Sequence, residues 1–206
     1  MGWWEAHVVP RLVDVTCSQK PIMELRREVC EGLDGRVIEV GFGSGLNLGA
    51  LPPAVVSVDA VEPSDLGWER SAGRRARSSV PVNRIGLDGQ DLDAAAASYD
   101  AALITFSLCT IPDPGRALAE VRRVLVPGGA LHFLEHGSAP DQGVRRWQRR
   151  LEPIQRRIAG GCHLTRDPVA LVEAAGFVSE DVAQFYLAPG PGKPFGFLTR
   201  GSALRG

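Results

Sequence analysis

The sequence predicts an α/β fold, a doubly wound and mostly parallel sheet with helices on both faces and a terminal antiparallel strand. Two observations lead to this prediction. Short apolar runs typical of buried strands alternate with helical patterns, and turns rich in glycine and proline separate them. In such sheets ligands bind beyond the carboxyl ends of the strands, so functional residues are expected just after each strand.

The predicted strands follow from apolar runs of five to seven residues, the length of a buried strand. The first five cover residues 36–40, 55–61, 81–86, 101–106 and 130–134. Two terminal strands are expected at 177–186 and 194–200.

The predicted helices follow from apolar residues at three- and four-residue spacing and from start and stop residues. Pro21 suits the first turn of an amino-terminal helix, and a polar helix is expected over 65–78. Another helix starts at Asp113 and stops at the Pro127-Gly128-Gly129 turn. The last two are expected over 140–158 and 167–175.

The composition indicates one ordinary globular domain over residues 1–206. A formal net charge of -1 gives no basic field that would recruit nucleic acid, so no nucleic-acid partner is expected. No apolar run reaches the roughly 20 residues of a membrane span, and the start of the chain lacks a signal-peptide pattern. The four cysteines form no CxxC pair, which favours a cytoplasmic protein.

A glycine-rich turn follows the first predicted strand. It carries Glu39, Gly41, Gly43 and Gly45, and glycines let the backbone approach a ligand closely. The dinucleotide pattern GxGxxG needs glycine or alanine at its last position, where this chain has Leu46. Glu39 would repel a pyrophosphate and attract an ammonium or sulfonium group.

A second acid, Glu62, follows the second strand, where a carboxylate can accept hydrogen bonds from both ribose hydroxyls of a nucleoside. Asp59 is the alternative candidate for this role, but the alternation of residues along the strand favours Glu62. A nucleoside with a cationic amino-acid tail matches both features, because its tail suits the acidic glycine-rich turn and its ribose suits the carboxylate of Glu62. S-adenosylmethionine is such a molecule, and it is the cofactor that the sequence predicts.

The Glu39–Gly45 segment, Glu62 and the turn at 127–129 resemble the class I S-adenosylmethionine-dependent methyltransferases over about residues 35–136. The resemblance implies a Rossmann-like sheet. It also implies that the three loop glycines lie under the methionine part of the cofactor and that Glu62 binds the ribose. Gln90 and Asp91 would hold the adenine, although Asp91 is equally well explained as a helix cap.

The resemblance also places the end of the fourth strand, with Thr105, Phe106 and Ser107, near the point where methyl donor and acceptor meet. Glu135 and His136 follow the fifth strand, and either side chain could take the acceptor's proton at the mouth of the site. The alternative is that both only hold neighbouring loops through hydrogen bonds.

The carboxyl-terminal third resembles a methyltransferase-like subgroup that includes the mammalian membrane-associated alkyl thiol methyltransferases. The resemblance rests on the Glu135-His136 pair and on the Gly161–Arg166 segment. Those proteins carry an amino-terminal apolar anchor, whereas this chain is expected to begin with a helical cap over residues 1–33. His163 would line the acceptor pocket or support its loop. A metal site of His136, His163 and Cys162 is not expected, because no ligand pair has helical or knuckle spacing.

Residues 140–166 are predicted to form a helical lid. An apolar stripe that includes Trp147 runs along a helix rich in arginine, which suits a lid packed inward over the acceptor pocket. Contact with a membrane surface is the less favoured alternative.

The predicted function is methyl transfer from S-adenosylmethionine to a small-molecule acceptor, with a thiol favoured. Acceptors such as an amine, a phenol or a phospholipid amine remain alternatives, as does a nicotinamide-dependent oxidoreductase. The oligomeric state is left open.

Overall fold

The computed structural model describes residues 7–187 and 189–206, so the first six residues of the predicted amino-terminal cap lie outside it. Eight strands are present in the described chain: β1 (Gly35–Val40), β2 (Val55–Val61), β3 (Val82–Gly86), β4 (Tyr99–Thr105), β5 (Leu125–His136), β6 (Phe177–Ser179), β7 (Ala183–Tyr186) and β8 (Phe197–Arg205). Seven α-helices accompany them: α1 (Val9–Cys17), α2 (Lys20–Cys30), α3 (Asp65–Arg70), α4 (Ala72–Arg77), α5 (Pro114–Val124), α6 (Gln142–Ile158) and α7 (Pro168–Ala174).

The strands form one sheet in the order β3-β2-β1-β4-β5-β8-β6, with β7 also pairing with β8. Strands β1 to β5 are parallel, and β8 runs antiparallel to β5. The mostly parallel sheet and the terminal antiparallel strand confirm the predicted fold class. The chain order reverses between β1 and β4, and ligands bind at such a switch point.

Both faces of the sheet are buried. Successive residues of a strand point to opposite faces. Ile38 and Ile104 accordingly join one apolar cluster, while their neighbours Val37 and Leu103 join another. This two-sided burial explains why the strands appear in the sequence as continuous apolar runs.

The predicted helix over 65–78 is interrupted at Ser71, which separates α3 from α4. The Ser71 hydroxyl donates to the carbonyl of Trp68 at 2.6 Å and accepts from Arg75 Nε at 2.7 Å. A serine side chain that bonds the backbone in this way competes with the helical hydrogen-bond ladder, which accounts for the break.

The apolar stripe of α6 is divided, because Leu151 packs against the buried Cys109, Cys162 and Leu164 while three other members of the stripe are exposed. Inward packing of the stripe is therefore seen only in part. The exposed fractions of Trp147, Ile154 and Ile158 are 54%, 58% and 44%. The buried residue of α6 is Gln148, whose amide accepts from Ala139 N and donates to the Gly137 carbonyl, both at 2.9 Å. These polar anchors fix the orientation of the helix. Among the described residues, no helix combines the length and the apolar character needed to span a membrane.

Candidate active site

A cavity of about 640 Å³ opens at the carboxyl ends of β1, β2 and β4. Its volume is in the range of pockets that bury small molecules. The glycine loop and the residues after β2 line the cavity together with residues of α1, Ala159 and Gly160. The cavity therefore lies at the switch point of the sheet, where the sequence predicts the cofactor.

The glycine loop adopts a backbone that side chains rarely tolerate. Gly41, Gly43 and Gly45 have φ values of 81°, 58° and 74°. Gly41 and Gly43 line the cavity, and Gly45 precedes a short 3-10 helix over Leu46–Ala50. A Cβ on Gly43 would meet no atom within 4 Å, whereas one on Gly41 would lie 1.8 Å from Ser107 Oγ. The loop thus leaves open space at Gly43 for a ligand.

Glu62 lines the cavity and is tied to the glycine loop. Its Oε2 accepts from Gly43 N at 2.6 Å, and its Oε1 accepts from Ser64 N at 2.7 Å. Burial raises the pKa of Glu62, and the two backbone bonds act against that rise. Each oxygen keeps a second lone pair, so the carboxylate can accept two more hydrogen bonds.

Glu39 lies under the glycine loop and does not line the cavity. Its Oε1 accepts from Asn47 Nδ2 at 2.8 Å, and its Oε2 is buried without a partner. Arg26 Nη1 donates to Asn47 Oδ1 at 2.6 Å and to Thr105 Oγ1 at 2.8 Å. Burial raises the pKa of Glu39 to about 8. Of this network, Arg26 and Thr105 reach the cavity.

The loop after β3 contributes Gln90 as predicted, but Asp88 rather than Asp91 reaches the cavity. Asp88 Oδ1 accepts from the backbone and the side-chain amide of Gln90, both at 2.9 Å. These bonds lower the pKa of Asp88. Asp91 is exposed, and its backbone N–H turns back to the Asp88 carbonyl at 3.3 Å. The tight turn thus presents the first of the two acids.

Phe106 follows β4 and lines the cavity in a strained conformation, with a φ of 56°. Residues with this backbone geometry cluster at ligand-binding and catalytic sites. The Arg26 guanidinium lies 5.4 Å from the centre of its ring, and the His136 ring centre lies 5.1 Å away. Phe106 therefore separates the cavity from the residues at the end of β5.

Glu135 is not at the mouth of the cavity. It is fully buried, and its carboxylate accepts from the backbone N–H groups of Ser107, Leu108 and Cys109 at 2.6, 2.9 and 3.2 Å. Burial raises its pKa to about 7. The geometry agrees with the alternative that Glu135 holds a neighbouring loop.

His136 also lies behind the cavity wall. Its Nδ1 is 3.9 Å from Cys109 Sγ and 3.8 Å from Cys162 Sγ. Both cysteines are buried, with exposed fractions of 2% and 3%. The pKa of Cys162 is lowered by the Cys109 thiol and by His136, while the pKa of Cys109 is raised by Cys162 and by burial.

Two predicted pocket residues lie elsewhere. His163 places Nδ1 3.1 Å from Glu152 Oε1, and Glu152 also accepts from Thr165, so His163 supports its loop. Trp147 is on the exposed side of α6 and does not line the cavity. Asp14 and Arg26 do line it, although no motif marks either residue on its helix.

Comparison with known proteins identifies the family. A family model described as a methyltransferase domain matches residues 38–133. The thiol S-methyltransferase TMT1B of Rattus norvegicus is 35% identical over 176 residues, which cover 82% of this chain and 70% of the relative. The chain belongs to the S-adenosylmethionine-dependent methyltransferases. This confirms the family, the activity and the cofactor that the sequence predicts, and the alternative of a nicotinamide-dependent oxidoreductase is not favoured.

Two further comparisons agree. The human thiol S-methyltransferase TMT1A is 32% identical to the methyltransferase over 150 residues, covering 68% of this chain and 59% of the relative. A solved S-adenosylmethionine-dependent methyltransferase of Thermotoga maritima superposes with a TM-score of 0.67 at 21% identity. That superposition covers 98% of this chain and all of the other, and it supports the fold.

The cavity of the methyltransferase suits its cofactor. Carboxylates of Glu62 and Asp88 line it, which favours a ligand that carries sulfonium and ammonium charges. The carboxylate of Asp14 also lines it but is already paired with Arg70 and Arg74. The open space at Gly43 lies beside the free lone pairs of Glu62. A nucleoside can therefore be held by its ribose while its tail follows the loop.

Proposed function

We propose that the methyltransferase transfers the methyl group to the sulfur of small apolar thiols. The observation that carries the proposal is the similarity to the thiol S-methyltransferases of rat and human, which covers 82% and 68% of this chain. The character of the cavity supports it. Apolar residues of α1, Val9, Pro10 and Val13, lie in the same cavity as Phe106 and can contact an apolar acceptor.

The proposed cofactor contacts follow from the cavity lining. Gly41 and Gly43 lie beside the methionine part, and Glu62 accepts hydrogen bonds from the ribose hydroxyls. Gln90 and Asp88 hold the adenine, in place of the Asp91 expected from the sequence. Glu39 and Gly45 act indirectly, since Glu39 anchors Asn47 beneath the loop and Gly45 closes it.

Arg26 is proposed to favour the reactive form of the acceptor. A thiol attacks as its thiolate, and a neighbouring cation stabilises that form. Arg26 is buried, lines the cavity and is held by Asn47 and Thr105. Its guanidinium is thus a fixed positive charge near Phe106, where the acceptor would lie.

S-adenosylmethionine supplies an electrophilic methyl group bound to a positively charged sulfur. With both molecules bound, the acceptor sulfur would form the new bond to carbon while the bond to the donor sulfur breaks with its electron pair, which would neutralise the sulfonium. The acceptor's proton passes to water. The protein holds the two sulfur atoms in line, a positioning effect that contributes up to several kcal/mol.

Glu135 and His136 are proposed to act without touching the acceptor. Glu135 is a positioning residue, because its three backbone hydrogen bonds shape the turn that carries Phe106 and Ser107 into the cavity wall. His136 supports Phe106 from behind. Residues of α1 and the Ala159-Gly160 pair close the acceptor side, so the predicted cap and the end of the 140–166 segment share that role.

The test is a matched series of acceptors. Thiophenol, aniline and phenol share one ring and differ in the acceptor atom. The protein is incubated with S-adenosylmethionine and each compound, and methylated product and S-adenosylhomocysteine are quantified by mass spectrometry against a reaction without protein. We expect S-methylation of thiophenol with equimolar S-adenosylhomocysteine. Faster methylation of aniline or phenol would contradict the proposal.

A further inference from the structure

Three soft ligand atoms meet behind the wall of the cavity. Cys109 Sγ, Cys162 Sγ and His136 Nδ1 all lie within 4.8 Å of one another. They come from three separate segments: the turn after β4, the end of β5 and the loop after α6. No pair of them is close in sequence, so spacing alone does not reveal the cluster.

We infer that Cys109, His136 and Cys162 form a binding site for a soft divalent metal ion, with zinc as the expected ion. Two thiolates and one imidazole are a ligand set that selects zinc over magnesium or calcium, which prefer oxygen ligands. The site does not depend on which acceptor the enzyme methylates.

The distances suit a tetrahedral ion. With Zn–S of about 2.3 Å and Zn–N of about 2.0–2.1 Å, a tetrahedral angle separates nitrogen from sulfur by about 3.6 Å. The Nδ1 atom of His136 lies 3.9 Å from Cys109 Sγ and 3.8 Å from Cys162 Sγ. A closure of a few tenths of an ångström therefore brings the nitrogen to the expected separation from each sulfur. The two sulfur atoms lie within 4.8 Å of each other, against the roughly 3.8 Å that two Zn–S bonds at a tetrahedral angle require.

The surroundings fix two of the ligands. The backbone N–H of Cys109 donates to Glu135 Oε2 at 3.2 Å, and the backbone N–H of His163 donates to the Cys109 carbonyl at 2.8 Å. The second bond ties the segment of Cys162 to that of Cys109. Such outer contacts hold metal ligands in orientation and tune affinity.

The site would brace the acceptor side of the cavity. Thr110, next to Cys109, and Gly160, two residues before Cys162, both line the cavity, and the His136 ring contacts Phe106. Binding one ion joins these three segments behind that wall and releases to water any protons that the three ligand side chains hold. Three protein ligands leave a fourth position for water or another small ligand.

The test starts with the metal content of the full-length protein, purified without chelator and analysed by inductively coupled plasma mass spectrometry. We expect close to one zinc per chain. Cys162→Ser and His136→Ala should lower zinc affinity by at least about tenfold, and circular dichroism checks their folding. Cys17→Ser and His7→Ala remove the same residue types outside the cluster and should keep the metal.

A measurement on the unmodified protein removes any dependence on variant folding. X-ray absorption at the zinc edge should show two sulfur ligands and at least one imidazole nitrogen. Protein that holds no zinc and takes up none at one equivalent would overturn the inference. So would zinc held equally well by Cys162→Ser and His136→Ala, or a disulfide between Cys109 and Cys162 in the purified protein.

Discussion

The carboxylate of Glu62 accepts a hydrogen bond from the backbone N–H of Gly43 at 2.6 Å. This bond joins the acid after β2 to the glycine loop after β1, although the residues come from different strands. Both also line the cavity at the switch point of the sheet. The ribose and methionine ends of the cofactor are therefore expected to depend on one connected unit.

Replacing Gly43 by valine should abolish binding of S-adenosylmethionine and leave the fold intact. The added side chain would enter open space within the cavity, because a Cβ there meets no atom within 4 Å. Gly128 is a matched control, since it also has a positive φ of 78° and no atom within 4 Å of a Cβ. Each substitution should cost about 1–3 kcal/mol of stability from backbone strain. Calorimetric titration should show binding to Gly128→Val alone, and binding to Gly43→Val would place the cofactor elsewhere.

Replacing Glu62 by glutamine should weaken binding of S-adenosylmethionine by about 10- to 100-fold, since a hydrogen bond to a charged group contributes about 1.5–3 kcal/mol. Asp59→Asn serves as the control. Asp59 accepts from Tyr99 Oη at 2.8 Å and from Asn83 Nδ2 at 3.2 Å, and it does not line the cavity. Its replacement should lower the melting temperature and preserve the Kd. An unchanged Kd in Glu62→Gln would remove this carboxylate from the site.

Stability should fall as the pH rises from about 5 to about 8. Burial raises the pKa of Glu39 to about 8 from 4.5, so the folded state keeps a proton that the unfolded state has released. The stabilisation that Glu39 contributes is complete below its pKa in the unfolded state, 4.5. It is lost as the pH rises through its pKa in the folded state, about 8. One such group gives a slope of up to about 1.4 kcal/mol per pH unit.

Urea unfolding of Glu39→Gln across this pH range measures the effect of Glu39. The free energy of unfolding of this variant should fall less steeply with pH than that of the unmodified protein. Part of the pH dependence should remain, because burial also raises the pKa of Glu135 to about 7. Glu24→Gln removes a carboxylate from the exposed side of α2 and should keep the slope of the unmodified protein. A slope that is identical in Glu39→Gln would contradict the prediction.

Replacement of Phe106 and replacement of Trp147 should differ in their effect on the KM for the acceptor. Phe106 lines the cavity, whereas 54% of Trp147 is exposed on α6. Phe106→Leu should raise the KM for an aromatic thiol about tenfold, the loss expected from roughly 1–2 kcal/mol of apolar contact. Trp147→Leu should leave the KM unchanged. Steady-state kinetics in which Trp147→Leu raises the KM and Phe106→Leu does not would contradict this prediction and support α6 as a lid.

The sheet and the cofactor side were predictable because their signals are local. Buried parallel strands appear as continuous apolar runs, and a strand followed by glycines and an acid determines which residues reach the switch point. Five of the residues predicted to bind the cofactor line the cavity, namely Gly41, Gly43, Glu62, Gln90 and Thr105. Glu39, Gly45 and Asp91 do not line it. The choice between Asp88 and Asp91 depends on the backbone path of a tight turn, which their spacing does not reveal.

The acceptor side was less predictable because tertiary contacts decide it. The apolar stripe of α6 predicts inward packing, which is seen at Leu151. Hydrogen bonds of Gln148 and Glu152 fix the helix in an orientation that leaves Trp147 exposed. A metal site that includes His136 and Cys162 was not expected from the sequence, and their neighbour Cys109 lies 27 residues before His136 and carries no motif. Glu135 looks like a proton acceptor in sequence, and only its three backbone partners indicate a positioning role.

The most direct test of the cofactor site is a crystal structure of the protein with S-adenosylhomocysteine. The predicted result places the ribose hydroxyls within hydrogen-bond distance of the Glu62 carboxylate and the homocysteine tail along Gly41 and Gly43. A ligand bound outside this cavity, or one whose ribose does not contact Glu62, would contradict the account.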